Sequence, residues 1–325
     1  MKYVPHFRPW IFAPVLISSL PAHAADFPLR PLRFVSPFAP GGGSDILART
    51  LASKLAEIWG QQVVVDNRPG ATGIIGTEIV VQAPADGYTL LLGNSATQAI
   101  NVSMFRKLPY DPLRDLACVT LVARLPEILV INPALPVISV RDLIALARAQ
   151  PGKLTFGSAG SGSSPHLAGE LFRLAANLDI VHVPYKGGPL ALIDLVGGRI
   201  TMYFSNALIA LRMLENRQLK TLAVTSSNRM AVAPEIPTMS ESGLAGFEEY
   251  IWFVAAVPAA TPGARVKTLN SGIVAALQSA AVSAILTRDG TEIVANSPEQ
   301  CTAFTKSEIK KYANVIDKVR VNLAD

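Results

Sequence analysis

Short apolar runs alternate with amphipathic stretches along most of the chain, and this alternation restricts the folds that the chain can adopt. The apolar run at residues 32–36 is followed by a stretch whose large apolar side chains recur every four residues. These side chains are Leu47, Leu51, Leu55 and Trp59. Further runs and helical stretches repeat the pattern, which predicts strands alternating with helices. The expected fold is therefore α/β, with mostly parallel sheets flanked by helices.

The alternation occurs in two series, and the junction between them predicts two lobes. Two apolar runs, at residues 117–123 and 127–131, follow one another without a good helix between them. We expect them to carry the chain into a second lobe, and we expect the apolar run at residues 250–258 to bring it back. Two α/β lobes joined by two crossings usually bind a ligand in the cleft between them. The predicted division is residues 25–125 with 247–325 for the first lobe and residues 126–246 for the second.

The chain begins with the features of a secretory signal peptide. Two basic residues precede an apolar core at residues 10–20, and residues 22–24 read Ala-His-Ala, a small-x-small cleavage site. The apolar core is shorter than the roughly 20 residues that span a bilayer. The sequence therefore predicts a signal peptide at residues 1–24, cleavage after Ala24, and a mature chain in the periplasm.

The net charge and the motif content exclude several classes of partner. The formal charge of +5 becomes +3 when the two basic residues of the predicted signal are removed (+5 − 2 = +3). A charge this small and dispersed does not indicate a nucleic-acid partner. Neither a Walker sequence nor G-x-G-x-x-G follows a predicted strand, so we expect no nucleotide cofactor. Two cysteines and four histidines without ligand spacing do not indicate a metal site.

The two cysteines, Cys118 and Cys301, leave one structural question open. Cysteines of exported proteins often form disulfides, because their compartment is oxidising. The spacing of two cysteines in a sequence does not show whether they pair. The paired and the free state are therefore equally compatible with the sequence.

A glycine loop after the first predicted strand is the first candidate binding site. Residues 36–45 read SPFAPGGGSD, and a helix is expected to begin near Ser44. Helix N-termini at the carboxyl ends of strands offer unpaired N–H groups and a positive dipole end to an anion. The alternative is a plain strand–helix turn in which glycine only permits a positive φ, and for Asp45 it is helix capping. The candidate residues are Phe38, Gly41, Gly42, Gly43, Ser44 and Asp45.

A second glycine loop repeats this arrangement in the other predicted lobe. Residues 157–166 read GSAGSGSSPH, again between a predicted strand and a predicted helix. We expect the two loops to face each other across the cleft. Neither loop contains Lys or Arg, and neutral donors suit a carboxylate better than a nucleotide phosphate. The candidate residues of the second loop are Ser158, Ala159, Gly160, Ser161, Gly162 and Ser163.

Two further strand ends supply polar residues, and one histidine raises the question of catalysis. Asn94 and Ser95 end one predicted strand, and Ser205 and Asn206 end another, so we expect all four at the cleft. His166 lies near the serines of the second loop, which is compatible with a nucleophile and base. The G-x-S-x-G sequence of a nucleophile elbow is absent, and His166 falls inside a predicted helix. We therefore expect a binding protein and not an enzyme.

Eight segments, in this order, make the chain resemble the extracytoplasmic solute receptors of tripartite tricarboxylate transporters, the TctC or Bug family. They are PFAPGGGSDILAR, VVVDNRPGATGIIG, PADGYTLLLG, LPYDPLRDL, KLTFGSAGSGSSPHLAGELF, VHVPYKGGPLALIDLVGGRI, LKTLAVTS and EIPTMSESGL. The resemblance covers essentially the whole mature chain. It implies a two-lobed, type II-like periplasmic binding protein, monomeric and without a cofactor, with a deep cleft between the lobes.

The resemblance also implies a function and a division of the site. In the family, the two glycine loops hold one carboxylate of a small ligand through backbone N–H groups and ordered waters. The ligand's other end would then be read near Asn94, Ser95, Ser205 and Asn206. The captured carboxylate would be delivered to membrane subunits of a transporter. The alternative is presentation of the same closed lobes to a periplasmic sensor domain.

Two positions depart from the family pattern. Ser161 stands where members often have Asn, so a side-chain amide contact is expected to be missing. Ser205 and Asn206 stand where many members have an Asp near the end of the strand ITMYF. Since an acidic residue there would pair with a ligand amine, its absence predicts a plain mono- or dicarboxylate, or an aromatic acid, as ligand in preference to an amino acid.

Overall fold

The computed structural model describes Met1, residues 27–288 and residues 290–319. The rest of the predicted signal peptide, with its cleavage site, lies outside the described residues. The strands found are β1 (Leu32–Ser36), β2 (Val63–Asn67), β3 (Thr89–Asn94), β4 (Leu116–Ile131), β5 (Thr155–Ser158), β6 (Val181–Pro184), β7 (Met202–Asn206), β8 (Lys220–Val224), β9 (Tyr250–Pro258) and β10 (Glu292–Ile293).

The helices alternate with these strands as the sequence pattern predicts. They are α1 (Gly43–Trp59), α2 (Ile74–Val81), α3 (Asn101–Met104), α4 (Val140–Ala149), α5 (Ser164–Ala175), α6 (Gly188–Val196), α7 (Ala207–Glu215), α8 (Gly263–Gln278), α9 (Ala280–Arg288) and α10 (Pro298–Val319). A 3₁₀ turn (Ala71–Gly73) precedes α2, and a π-helical turn (Ala96–Ile100) precedes α3. No single helix in the described ranges combines the length and apolarity needed to cross a bilayer. Only α8 and α9 taken together reach them, and a 65° bend separates the two.

Strand β4 joins two sheets by changing its partners along its length. Up to Pro126 it pairs antiparallel with β9, in a sheet of order β2-β1-β3-β9-β4 with β10 beside β4. From Glu127 onward it pairs antiparallel with β7 and β8, and the second sheet continues from β7 through β5 to β6. The pairs that flank β1 and β5 are parallel. Parallel strands therefore end on the same edge of each sheet, where their helices begin.

The two apolar runs expected as separate crossing segments form this one strand of 16 residues. The change of partner occurs at Pro126, which has no N–H to give to a ladder and is tolerated where pairing is interrupted. Beyond Pro126, Thr225 forms hydrogen bonds with both of the chain segments that connect the two sheets. Its N–H donates to the Glu127 carbonyl at 2.8 Å, and its hydroxyl donates to the Glu249 carbonyl at 2.6 Å.

Helix α1 follows the periodicity read from the sequence. Leu47, Leu51 and Leu55 are buried in the core of the first sheet together with Leu269 of α8. Each such leucine contributes about 1.5–3 kcal/mol by leaving water. The helix ends at Gly60, whose φ of 62° is the left-handed conformation that glycine adopts without strain.

Helix α7, which begins directly after β7, does not follow from the sequence pattern. The Asn206 side chain accepts a hydrogen bond from the Ile209 N–H at 3.1 Å and so starts the helix. Asn206 was read only as a strand end, whereas asparagine is also one of the strongest N-cap residues. The omission matters because α7 brings its N-terminus to the cleft.

The disulfide that the sequence left open is formed. Cys118 of β4 and Cys301 of α10 are bonded, with 6.0 Å between their Cα atoms and a sequence separation of 183. Cys301 is fully buried among apolar side chains of β4, β9 and α10. The bond therefore ties the C-terminal helix to the strand that joins the two sheets.

Candidate functional site

A cavity lies at the junction of the two sheets, where the parallel strands have their carboxyl ends. The centres of water-sized molecules can occupy about 60 Å³ of it, several times the ~10–15 Å³ that one water requires. A wider groove of about 410 Å³ adjoins the cavity. Phe38, Ala39, Ala159 and Gly187 line both, so they form the boundary between the inner cavity and the groove.

Four helices begin at the wall of this cavity. The residues that precede their first turns all line it: Gly42 before α1, Ser163 before α5, Gly187 before α6 and Asn206 before α7. The first N–H groups of a helix lack partners within the helix, and the dipole places about half a positive charge there. At Gly42, Ser163 and Gly187 no side chain caps these groups. The cavity can therefore bind an anion through backbone donors.

The side chains around the cavity carry no positive charge. In the part of the chain that the structure describes, no Lys, Arg or His is among the lining residues, and the one ionisable acid is Glu127. The hydroxyl and amide groups of Ser44, Asn94, Ser163 and Ser205 supply neutral hydrogen-bonding partners. Helix N-termini and neutral donors are thus the means available for holding a negative charge.

The first glycine loop is fixed by hydrogen bonds behind the cavity wall. Gly41 has a φ of 77°, and its N–H donates to the Asp45 carboxylate at 2.9 Å. Asp45 also pairs with Arg49, one turn along α1. Burial alone would raise the pKa of Asp45, but the hydrogen bonds from Arg49 and Gly41 outweigh it and hold the pKa below its usual value. Asp45 thus braces the loop that precedes α1, and it is not among the residues that line the cavity.

The second glycine loop is supported by hydroxyl groups and two histidines. The Ser163 hydroxyl donates to the Gly160 carbonyl at 2.6 Å, which closes the loop on itself. The Ser158 hydroxyl lies 2.6 Å from His182 Nε2, and the Gly162 N–H donates to His166 Nδ1 at 3.0 Å. The two imidazole rings are stacked, with their centroids 3.9 Å apart.

A hydrogen bond across the cleft joins the lobe that carries the first glycine loop to the lobe that carries the second. The Thr72 hydroxyl donates to the Ser161 carbonyl at 2.6 Å. The Asn101 amide in turn donates to the Thr72 carbonyl at 3.2 Å. Thr72 has a φ of 50°, which is unfavourable for a β-branched residue, so the surrounding contacts hold this turn in place. The lobes are in contact in this structure, and Thr72 lines the groove that adjoins the cavity.

Comparisons with known proteins identify the family. The family model described as Tripartite tricarboxylate transporter family receptor, TctC, matches residues 47–321. Protein BugT of Bordetella pertussis is 39% identical over 304 residues, which cover 93% of this chain and 93% of BugT. The chain belongs to the TctC family.

Solved structures of related proteins place this TctC-family chain among ligand-binding receptors. The R. palustris protein Rpa4515, determined with adipate, has a TM-score of 0.89 and 36% identity, covering 91% of this chain and 99% of its own. MatC of Rhodopseudomonas palustris, determined with bound malate, has a TM-score of 0.85 and 29% identity, covering 89% of this chain and 100% of its own. The predicted two-lobed fold of a periplasmic binding protein is thereby confirmed.

The candidate residues named from the sequence divide into two groups in this TctC-family chain. One group lines the cavity: Phe38, Gly42, Gly43, Ser44, Asn94, Ala159, Ser163, Ser205 and Asn206. The other group does not line it: Gly41, Asp45, Ser95, Ser158, Gly160, Ser161 and Gly162. Most of the second group hold the loops in shape or bridge the lobes. Ligand contact by either group remains a prediction.

Several lining residues were missed by sequence reasoning. Gly187 and Gly188 lie after β6 in the segment YKGGP, and the rule that located the other two loops applies to them as well. Tyr203 and Ile209 come from β7 and from the unpredicted α7. Glu127 could not be recognised from the sequence, because it stands at the start of an apolar run that is typical of a buried strand.

The histidines do not form a catalytic site with the serines. His182, and not His166, contacts the Ser158 hydroxyl, but Ser158 is fully buried and does not line the cavity. His166 uses its Nδ1 atom as an acceptor for the loop backbone. Both rings therefore support the second loop.

We expect the two histidines to make stability depend on pH. Burial, together with the neighbouring His182, lowers the pKa of His166 to about 3, and burial lowers the pKa of His182 to about 4. The unfolded chain therefore binds more protons than the folded chain below about pH 6.5. Each histidine should reduce the free energy of unfolding by up to about 1.4 kcal/mol per pH unit as the pH falls from there towards 4.

The measurement is urea unfolding between pH 7 and 4, compared with a His166→Asn variant. The asparagine oxygen can replace Nδ1 as acceptor but does not titrate, so the variant should show a shallower pH dependence, by about one proton. Comparing the two proteins removes the opposite contribution of the buried glutamates, whose pKa values are raised. Identical pH dependences would contradict the assignment of His166 as a buried neutral group.

Proposed function

We propose that this TctC-family chain is a periplasmic receptor that captures a small carboxylate in the enclosed cavity and delivers it to the membrane subunits of a tripartite transporter. The observation that carries the proposal is the convergence of four helix N-termini on a cavity at whose wall none of the described residues has a cationic side chain. A ligand carboxylate would accept hydrogen bonds from the N–H groups after Gly42 and Ser163, directly or through water. Relatives determined with adipate and malate support this ligand class.

The division of the chain and its location are part of the same proposal. Residues 25–125 with 247–325 would move against residues 126–246 about the two connections tied by Thr225. Contacts made to both lobes only in the closed state would drive the closure. The mature chain, cleaved after Ala24, would act in the periplasm as a monomer that binds without converting its ligand.

Thermal unfolding of residues 25–325 with a panel of small carboxylates tests the proposal. The panel contains dicarboxylates, tricarboxylates, aromatic acids and amino acids. A ligand at 100 times its dissociation constant adds about 2.7 kcal/mol to stability, which corresponds to several degrees in a chain of this length. We expect a shift confined to one chemical class. Mass spectrometry of the denatured protein checks for a ligand retained from expression, and the absence of both shift and retained carboxylate would contradict the proposal.

A further inference from the structure

Glu127 is a buried acid at the cavity wall with no partner of its own. It lies in β4 opposite Asn206 of β7. Its side chain is fully buried, and among the described residues neither carboxyl oxygen has a hydrogen-bond partner. Since a buried polar group without a partner is costly, an unpartnered carboxyl on a residue that lines the cavity points to a ligand.

The backbone of Glu127 is held firmly, so its side chain has a defined position. Its N–H donates to the Thr225 hydroxyl at 2.8 Å, and its carbonyl accepts from the Thr225 N–H at 2.8 Å. Asn206, its partner in β7, starts α7 at the cavity wall. Glu127 therefore lies where the two sheets meet, beside the N-terminus of a helix that begins at the cavity wall.

The groups that face Glu127 favour its uncharged form. Burial is the main cause that raises its pKa well above the usual range, and the charge of Glu249 adds to it. The Ser164 hydroxyl on α5 acts in the opposite direction without reaching hydrogen-bond geometry. The remaining ionisable neighbours are the phenols of Tyr203 on β7 and Tyr312 on α10, whose pKa values are raised.

Glu249 differs from Glu127 in having partners and in not lining the cavity. It accepts a hydrogen bond from the Tyr312 hydroxyl at 2.7 Å and a longer one from Ser164 at 3.5 Å. Burial raises its pKa to about 7, Lys311 lowers it, and Glu308 raises it. Lys311 lies on α10 and is not among the cavity-lining residues. Glu249 therefore offers a matched control, a buried glutamate beside the cavity but outside it.

Resting on the proposed function, we propose that Glu127 is a neutral carboxylic acid that donates a hydrogen bond to a second oxygen acceptor of the ligand, apart from the carboxylate that the glycine loops hold. The ligand carboxylate already brings one negative charge into a cavity without cations, and a second buried charge there would be strongly unfavourable. A neutral acid instead offers one O–H donor in a dry site. The receptor then prefers carboxylates with a second carboxyl, carbonyl or hydroxyl group over plain alkanoates and ω-amino acids.

The position of Glu127 changes the reason for expecting a ligand other than an amino acid. Amino-acid ligands were disfavoured because the end of β7 has Ser205 and Asn206 in place of an acid. The neighbouring strand supplies an acid at the same level, since Glu127 pairs with Asn206 in the ladder. An acid is thus available beside Asn206, and it is the uncharged state of Glu127 that selects an oxygen acceptor over an ammonium group.

The first test needs no ligand. Infrared difference spectra at neutral pH compare the wild type with Glu127→Gln and Glu249→Gln. A protonated carboxylic acid has a carbonyl stretch that a carboxylate lacks, and we expect the Glu127→Gln difference to contain it. The Glu249→Gln spectrum shows the contribution of the second glutamate. A carboxylate signal in place of the acid signal at Glu127 would overturn the inference, whatever ligand the protein binds.

The second test uses two matched ligand trios with the wild type, Glu127→Gln, Glu127→Leu and Glu249→Gln. The trios are butyrate, succinate and 4-aminobutyrate, and hexanoate, adipate and 6-aminohexanoate. In at least one trio, calorimetry should give the wild type about tenfold tighter binding of the diacid than of the alkanoate. Glutamine keeps an N–H donor, so Glu127→Gln should retain most of this preference, whereas Glu127→Leu should lose it and Glu249→Gln should keep it.

The outcomes separate the inference from the proposed function. Two results would overturn the inference while leaving the protein a carboxylate receptor. One is a preference for the diacid that is unchanged in Glu127→Leu. The other is a wild type that binds the amino acid most tightly and loses this binding in Glu127→Gln. Failure of both trios and of the whole carboxylate panel to bind the wild type would contradict the proposed function. The infrared result would then still decide the protonation state of Glu127, and an ionised Glu127 would end the inference as well.

Discussion

A valine at Gly42 should abolish carboxylate binding and leave the fold intact. Gly42 precedes α1, lines the cavity, and has φ −79° and ψ 168°, which any residue can adopt. A Cβ atom there would lie 3.3 Å from the Ala39 carbonyl oxygen, a tight contact that a shift of a few tenths of an ångström in the loop relieves. The two methyl groups beyond it would occupy a cavity of about 60 Å³ and cover the first N–H groups of α1. We expect at least a hundredfold loss of affinity, about 2.8 kcal/mol.

Gly42 is the informative position because its two neighbours would confuse the result. Gly41 has a positive φ, so any side chain there strains the backbone, and a Cβ at Gly43 would lie 2.5 Å from the Asn206 amide. The control is Gly263→Val at the start of α8, where an added Cβ meets no atom within 4 Å. Calorimetry with any carboxylate that binds the wild type makes the measurement. Affinity retained in Gly42→Val would remove the first glycine loop from the site.

The elements of this fold could be predicted where one local rule dominates. The four-residue recurrence of Leu47, Leu51 and Leu55 indicated α1, because a helix with one buried face has to repeat at that spacing. The rule that ligands lie at the carboxyl ends of parallel strands indicated both glycine loops. Each of these inferences needed only one segment of sequence and its physical chemistry.

The remainder depended on which distant segments come together. Glu127 reaches the cavity only because β4 changes partners beside it, and a single strand's sequence does not contain its register with β7. The pairing of Cys118 with Cys301 likewise depends on α10 returning to β4. The sequence did contain the signal for Gly187, since two glycines follow a predicted strand there, and the same rule would have found it.

Removing the disulfide should cause a large loss of stability. Cys118 and Cys301 close a loop of 183 residues. Closing so long a loop restricts the unfolded chain by up to about 5 kcal/mol, and measured losses usually lie between about 2 and 5 kcal/mol. We expect the Cys118→Ala/Cys301→Ala double variant to lose a free energy of unfolding in this range. Alanine is chosen because Cys301 is fully buried among apolar groups, where a serine hydroxyl would lack a partner.

Adding a reductant separates the contribution of the disulfide bond to stability from the contribution of the packing of the two cysteine side chains. Dithiothreitol should lower the wild-type unfolding temperature towards that of the double variant and should leave the double variant unchanged. The reductant is also added to the unfolded wild type, so that a buried bond can react. If the unfolding temperature then still does not change, the bond does not form in the isolated protein. Carboxylate affinity should be the same in both proteins, because neither Cys118 nor Cys301 lines the cavity. We therefore expect the disulfide to stabilise α10 against β4 without taking part in recognition.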